Sequence, residues 1–113
     1  MEFRLVYSTA PDQAQALSLG QSLVESRLAA CANVLPGMTS IYWWQGEIHR
    51  DQEAVLVLKT RAGLVDRLVA EVRRLHPYQV PCVVALPILE GNPDYLRWLG
   101  EETLEETTGP ARG

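Results

Sequence analysis

Lysine is almost missing from this chain of 113 residues: Lys59 stands alone, and every other basic side chain is an arginine. The formal net charge is −4, and no basic cluster interrupts it, which excludes a nucleic-acid footprint. Cysteine is scarce as well. Cys31 and Cys82 are far apart and form no CxxC, so neither a disulfide framework nor a short-spaced zinc motif is expected. No run approaches the roughly 20 apolar residues of a membrane span. The first residues pass straight into a strand-like pattern with no signal-peptide core, so the cytoplasm is the expected compartment. There is no GxGxxG, no GxxxxGK[ST], no nucleophile elbow and no readable carboxylate pair. The expectation is a protein that is not an enzyme and that engages neither membrane nor nucleic acid.

What is present is organised around the stretch from Thr39 to Thr60. Strand-like runs at Ile41–Trp44 and Ala54–Leu58 flank a polar middle with Gly46 and Asp51-Gln52, the pattern of a β-hairpin. Trp43 and Trp44 are adjacent, so in a strand their rings face opposite ways; one in the core and one at an interface is the expected split. Val55-Leu56-Val57-Leu58 does not alternate with polar residues, so both of its faces need cover.

On either side of the hairpin the pattern is equally regular. Phe3–Ser8 reads as a first strand, and Thr9 with Asp12 resembles a capping box ahead of a helix that begins with Pro11. Ala14, Leu17, Val24 and Leu28 recur at helical spacing, and Gly20 inside that helix suggests a close backbone contact. Cys31–Leu35 reads as a second strand, redirected at Pro36-Gly37. Leu64, Val65, Leu68, Val69, Val72 and Leu75 form the stripe of a second helix, which Pro77 stops near His76. Cys82–Leu86 is a fourth strand, placed at a sheet edge by Pro87. Asn92 and Pro93 then cap and open a third helix containing Tyr95, Leu96, Trp98 and Leu99.

The resulting order, β-α-β-β-α-β plus a terminal helix, predicts an α/β ferredoxin-like sandwich. One domain is expected over residues 1–104, with a polar, frayed tail over 105–113. Both helices of such a fold cover one sheet face, which leaves the other apolar face to another copy of the chain; an obligate homo-oligomer is predicted.

The chemistry-bearing candidates are few. Cys31 could ligate a soft or borderline metal such as copper or zinc, or be a small buried residue, as Cys82 is expected to be. His76 closes the second helix, where it could either ligate or cap carbonyls, and the two-proline loop Pro77–Pro81 fixes its direction. His49 is expected to be solvated. Tyr42, Trp43 and Trp44 could stack on a ligand or anchor a partner chain.

Taken together these residues resemble the CutA divalent-cation tolerance family. The likeness is carried by Leu28-Ala29-Ala30-Cys31-Ala32-Asn33, Pro36-Gly37 and Ser40-Ile41-Tyr42-Trp43-Trp44-Gln45-Gly46. It continues through Glu53, Leu58-Lys59-Thr60, His76-Pro77-Tyr78-Gln79-Val80-Pro81, Leu86-Pro87-Ile88, Gly91-Asn92, Tyr95 and Trp98. The resemblance implies a ferredoxin-like homotrimer, related in shape to the PII signalling proteins, that binds copper or other divalent cations. It makes Cys31 and His76 the metal-site candidates. It also places Glu53, Lys59 and Tyr78 near clefts between subunits, where Tyr42 and Trp43 are further candidate ligand contacts. A single histidine precedes Pro77, so symmetry-related copies would have to complete any coordination. The alternative from another class is a PII-like regulatory trimer with a small anionic ligand in the cleft, Lys59 as its charge partner and Tyr42 or Tyr78 stacking on it.

Overall fold

The computed structural model describes residues 1–105, so nearly all of the expected tail lies outside the described residues. The elements are β1 (Phe3–Ala10), α1 (Gln13–Glu25), β2 (Cys31–Trp44), β3 (Glu47–Arg61), a 3-10 turn (Ala62–Leu64), α2 (Val65–Leu75), β4 (Val83–Ile88) and α3 (Pro93–Glu101). The strands form one sheet in the order β2-β3-β1-β4, with every pair antiparallel. This is the ferredoxin-like arrangement expected from the element order, with the extra C-terminal helix.

Strand alternation sorts the side chains into two faces. Val6, Ala54, Leu56, Leu58 and Thr60 point to the helices and are buried. Leu19 and Leu23 of α1 and Leu68 and Val72 of α2 close that core. Leu5, Tyr7, Val55 and Val57 point the other way and are half-buried. With them stand Leu35, Val84 and Leu86, which are 54%, 53% and 52% exposed. Helix α3 covers the Phe3–Arg61 end of this second face, where Arg61 Nε donates to Thr103 Oγ1 at 2.9 Å and its guanidinium also donates to the Gly100 carbonyl. Between that end and the buried Glu53 the face is an open apolar surface, as the unalternating run in β3 demanded.

Several local expectations are corrected. The hairpin turns at Gln45-Gly46, both with positive φ (51° and 82°), the geometry of a two-residue turn between twisted strands. Asp51-Gln52 is therefore strand, and its polarity reflects a β2–β3 arm that extends beyond β1, whose pairing with β3 stops at Ala54. Pro36-Gly37 does not separate two strands; it is an irregularity inside β2 where the register shifts between Leu35 and Met38, with Gly37 at φ 78°. The α1 cap is Asp12, whose carboxylate accepts from Gln15 N at 2.8 Å, rather than Thr9. The buried stripe of α1 is Ala16, Leu19, Gly20 and Leu23; Ala14 and Leu17 are exposed, and Leu28 lies in the core beyond the helix end. Cys82 precedes β4 and is exposed rather than buried in a strand. Neither tryptophan of the arm is core: Trp43 is 71% and Trp44 41% exposed, because the arm projects past the helices.

Strand ends also differ from expectation, with β1 reaching Ala10, β3 spanning Glu47–Arg61 and β4 reaching Ile88, whereas α2 stops at Leu75, ahead of His76 and Pro77, as expected. Asn92 caps α3 through Asp94 N at 3.1 Å with Pro93 in its first turn, and β4 with Pro87 is an edge strand.

Candidate functional site

Two clusters form on the open side of the sheet. The first is built where the arm leaves the domain. Register pairs Tyr42 with His49, Ser40 with Asp51 and Met38 with Glu53, so the alternation of both strands places Ser40, Tyr42, His49, Asp51 and Glu53 on one face. Glu53 is only 8% exposed. Its two oxygens each accept a hydroxyl, from Ser40 Oγ at 2.5 Å and from Tyr78 at 2.9 Å. Asp51 accepts from the Tyr42 hydroxyl. The Tyr42 ring stacks on His49 with centroids 5.6 Å apart, so His49 is half-buried rather than freely solvated.

Tyr78 reaches this cluster because His76 holds the loop after α2. The Tyr78 N–H donates to His76 Nδ1 at 3.1 Å, which makes Nδ1 the acceptor nitrogen and leaves the proton on Nε2. That Nε2–H donates to the Thr9 carbonyl at 2.7 Å. The imidazole is buried, and both of its nitrogens are committed within the chain. Burial, followed by the hydrogen bond to Glu53, pushes the Tyr78 hydroxyl up to about 12. Tyr42 is raised chiefly by its bond to Asp51, and the Cys82 thiol by desolvation and then by the Glu53 charge. All three shifts hold these groups in their neutral forms.

The second cluster lies at the other end of β3. Cys31 and Lys59 are cross-strand partners on the open face. Tyr95 of α3 packs over them: Lys59 Nζ is 3.3 Å from its hydroxyl and 5.4 Å from its ring centroid, and Cys31 Sγ is 3.6 Å from the same hydroxyl. The Trp98 ring stands 5.5 Å from that of Tyr95. Thus Glu53, Tyr78 and Tyr42 share one cluster and Cys31 and Lys59 the other, while Trp43 points away from both, on the opposite face of the arm.

The two metal-site candidates do not meet within one chain. His76 is tied to Thr9, opposite Val55, and Cys31 pairs with Lys59; four strand residues separate these rows by about 13 Å. Among the described residues no group of three or more His, Cys, Asp or Glu side chains is placed to hold a metal ion. Reading the sequence missed Ser40 and Asp51 as partners of Glu53 and Tyr42; period-two alternation across a correctly placed turn would have found them. It also left unstated that Tyr95 and Trp98, one helical turn apart, close over Lys59.

A four-stranded antiparallel sheet with helices on one face and an open apolar face on the other defines a small ferredoxin-like α/β protein. Comparison with known proteins gives the family. The chain belongs to the CutA1 divalent ion tolerance protein family, whose model matches residues 4–102, and members of this family are not enzymes. The chain is 52% identical over 99 residues to the divalent-cation tolerance protein CutA of Thermus thermophilus, covering 88% of this chain and 96% of that protein. It is 45% identical to the chloroplastic CutA 1 protein of rice, spanning 89% of this chain but 57% of that longer sequence. Among solved structures, the Thermus thermophilus protein superposes with a TM-score of 0.87 at 50% identity over 89% of this chain and 98% of that one. The rice CutA1 crystal structure superposes with a TM-score of 0.91 at 43% identity over 93% and 96%.

Proposed function

We propose that this protein is a cytoplasmic homotrimer that binds divalent cations, copper first among them, and contributes to divalent-cation tolerance. The observation that carries the reading is the match to the Thermus thermophilus divalent-cation tolerance protein over nearly the whole of both chains. The open apolar face, with Leu35, Val57, Val84 and Leu86, supports the assembly, since an uncovered surface of this kind favours contact with other copies of the chain. The two free thiols, Cys31 and Cys82, suit a reducing compartment.

Donors from a single chain do not fill a coordination sphere, so the proposal needs more than one copy. Cys31 is the available donor, being half-buried with its sulfur 3.6 Å from the Tyr95 hydroxyl. His76 would have to release both of its hydrogen bonds before it could ligate. The test is calorimetric titration of the reduced protein with Cu²⁺ in a non-chelating buffer. Saturable binding at a fixed ratio to the assembly, lost in Cys31→Ser, supports a built site. Weak heats that never saturate would refute it.

A second reading, a PII-like regulatory trimer with a small anionic ligand, is favoured by one observation. Lys59, the lone lysine, has no carboxylate partner among the described residues.

A further inference from the structure

We propose that Lys59, Tyr95, Cys31 and Trp98 form a binding site for a small monocarboxylate with a flat, apolar body. The inference gives the regulatory reading its ligand class and rests on that reading, not on metal binding.

In a chain of net charge −4, an ammonium without a carboxylate neighbour is a poor use of the surrounding acids. Arginines near this end of the sheet are already committed: Arg61 to Thr103 and Gly100, Arg27 to Glu102, and Arg4 to Glu2. Among the described residues, the Lys59 ammonium instead meets the hydroxyl and ring of Tyr95. Its strand neighbours on the open face are Leu5, across β1, and Cys31, across β2. One cation without a carboxylate neighbour, set beside apolar and aromatic groups, is matched by one anionic group.

The number of charges selects the class. A phosphate ester or nucleotide calls for several cations, a bidentate arginine or a glycine-rich cradle, and here a single point charge is free. A carboxylate is matched by one ammonium and one hydroxyl donor, and Tyr95 supplies the second. Tyr95 and Trp98, tilted at 32° with centroids 5.5 Å apart, provide an aromatic wall for a planar ligand body. The Cys31 thiol beside the Tyr95 hydroxyl completes the rim as a weak polar contact.

The test is calorimetric titration of the full reduced chain with benzoate, in the presence of EDTA so that metal binding plays no part. Benzyl alcohol and inorganic phosphate serve as comparison probes. Saturable benzoate binding at one per chain is expected, with the alcohol and phosphate weaker by about tenfold or more. Lys59→Met should remove that preference, and Tyr95→Phe should weaken benzoate while leaving the fold intact by circular dichroism. Lys59→Arg keeps the charge and serves if the methionine variant does not fold; it should retain binding. Benzoate no tighter than benzyl alcohol, or equal binding to the wild type and Lys59→Met, overturns the proposal. Failure to bind benzoate combined with a Lys59→Met change in sedimentation also overturns it, since a carboxylate of a neighbouring copy would then be the partner. Neither failure touches the copper titration.

Discussion

The Tyr78 hydroxyl donates to the Glu53 carboxylate at 2.9 Å across 25 residues of sequence. That bond ties the loop after α2 to the base of the β2–β3 arm, and it links the position of the loop to the ionisation of a tyrosine. The folded chain holds Tyr78 neutral up to about 12, against 10.0 for an unperturbed group. Between those values the unfolded chain releases this proton while the folded chain keeps it, so stability falls as pH rises. A two-unit shift corresponds to about 2.7 kcal/mol. Because Tyr78 is 37% exposed, solvent screening should leave about 1 kcal/mol. Denaturant unfolding at pH 9 to 12 should show this decline in the wild type and a shallower one in Tyr78→Phe. Equal slopes would mean that the tyrosine is not held as described.

His76 acts here as the fastener of that loop. Its two hydrogen bonds join Thr9 of β1 to the backbone of Tyr78. Replacing it with alanine leaves a buried carbonyl and an N–H without partners, a loss of about 2–4 kcal/mol. Urea unfolding of His76→Ala in EDTA measures this directly. A variant as stable as the wild type without metal would return His76 to the ranks of free ligands.

How much was legible in the sequence depended on which interaction set each feature. Strand alternation and helix stops are local, so the element order, the edge position of Pro87 and the Asn92-Pro93 cap were legible. The Val55–Leu58 run also marked the open face, since a strand with one face in water would alternate. The turn at Gln45-Gly46 was only partly legible, because beside Gly46 the polar middle also carries Asp51-Gln52. Their polarity comes instead from a two-stranded arm standing clear of the helices. The capture of His76 by Thr9 joins residues 67 apart, and no spacing rule could reveal that both nitrogens are occupied. The Lys59–Tyr95 contact is likewise set by where α3 docks.

Gly20 offers a sharper test of packing. A Cβ built there would lie 3.0 Å from Ala32 Cβ and 3.1 Å from Leu56 Cδ1. Alanine gains up to about 1 kcal/mol in helix propensity, but Ala32 Cβ is fixed to the β2 backbone and cannot move aside alone. Overpacking of this kind costs about 1–3 kcal/mol, so Gly20→Ala should lower stability by about 1 kcal/mol. A rise in unfolding midpoint would show that α1 can lift away from the sheet freely.

Thr60 points the other way. It is fully buried on the helix side, and its hydroxyl has no hydrogen-bond partner among the described residues. Removing an unsatisfied buried hydroxyl while keeping the β-branched shape should stabilise the fold, and Thr60→Val is expected to gain about 1 kcal/mol. Thermal unfolding of the variant decides the point; a loss would reveal a partner for the hydroxyl.

Assembly through the open face can be separated from folding at Val57. It sits mid-sheet, between Asn33 of β2 and Tyr7 of β1, with Val84 beyond. In an isolated chain Val57 is half-buried, so an aspartate there can still reach water and the fold should survive. Once another copy covers the face, the same carboxylate becomes a buried charge without a partner, a penalty of several kcal/mol per site. Val57→Asp should therefore sediment as a folded monomer at micromolar concentration where the wild type sediments as a trimer. If the wild type is itself monomeric, or the variant remains assembled, the copies do not meet through this surface and the apolar face must serve another purpose.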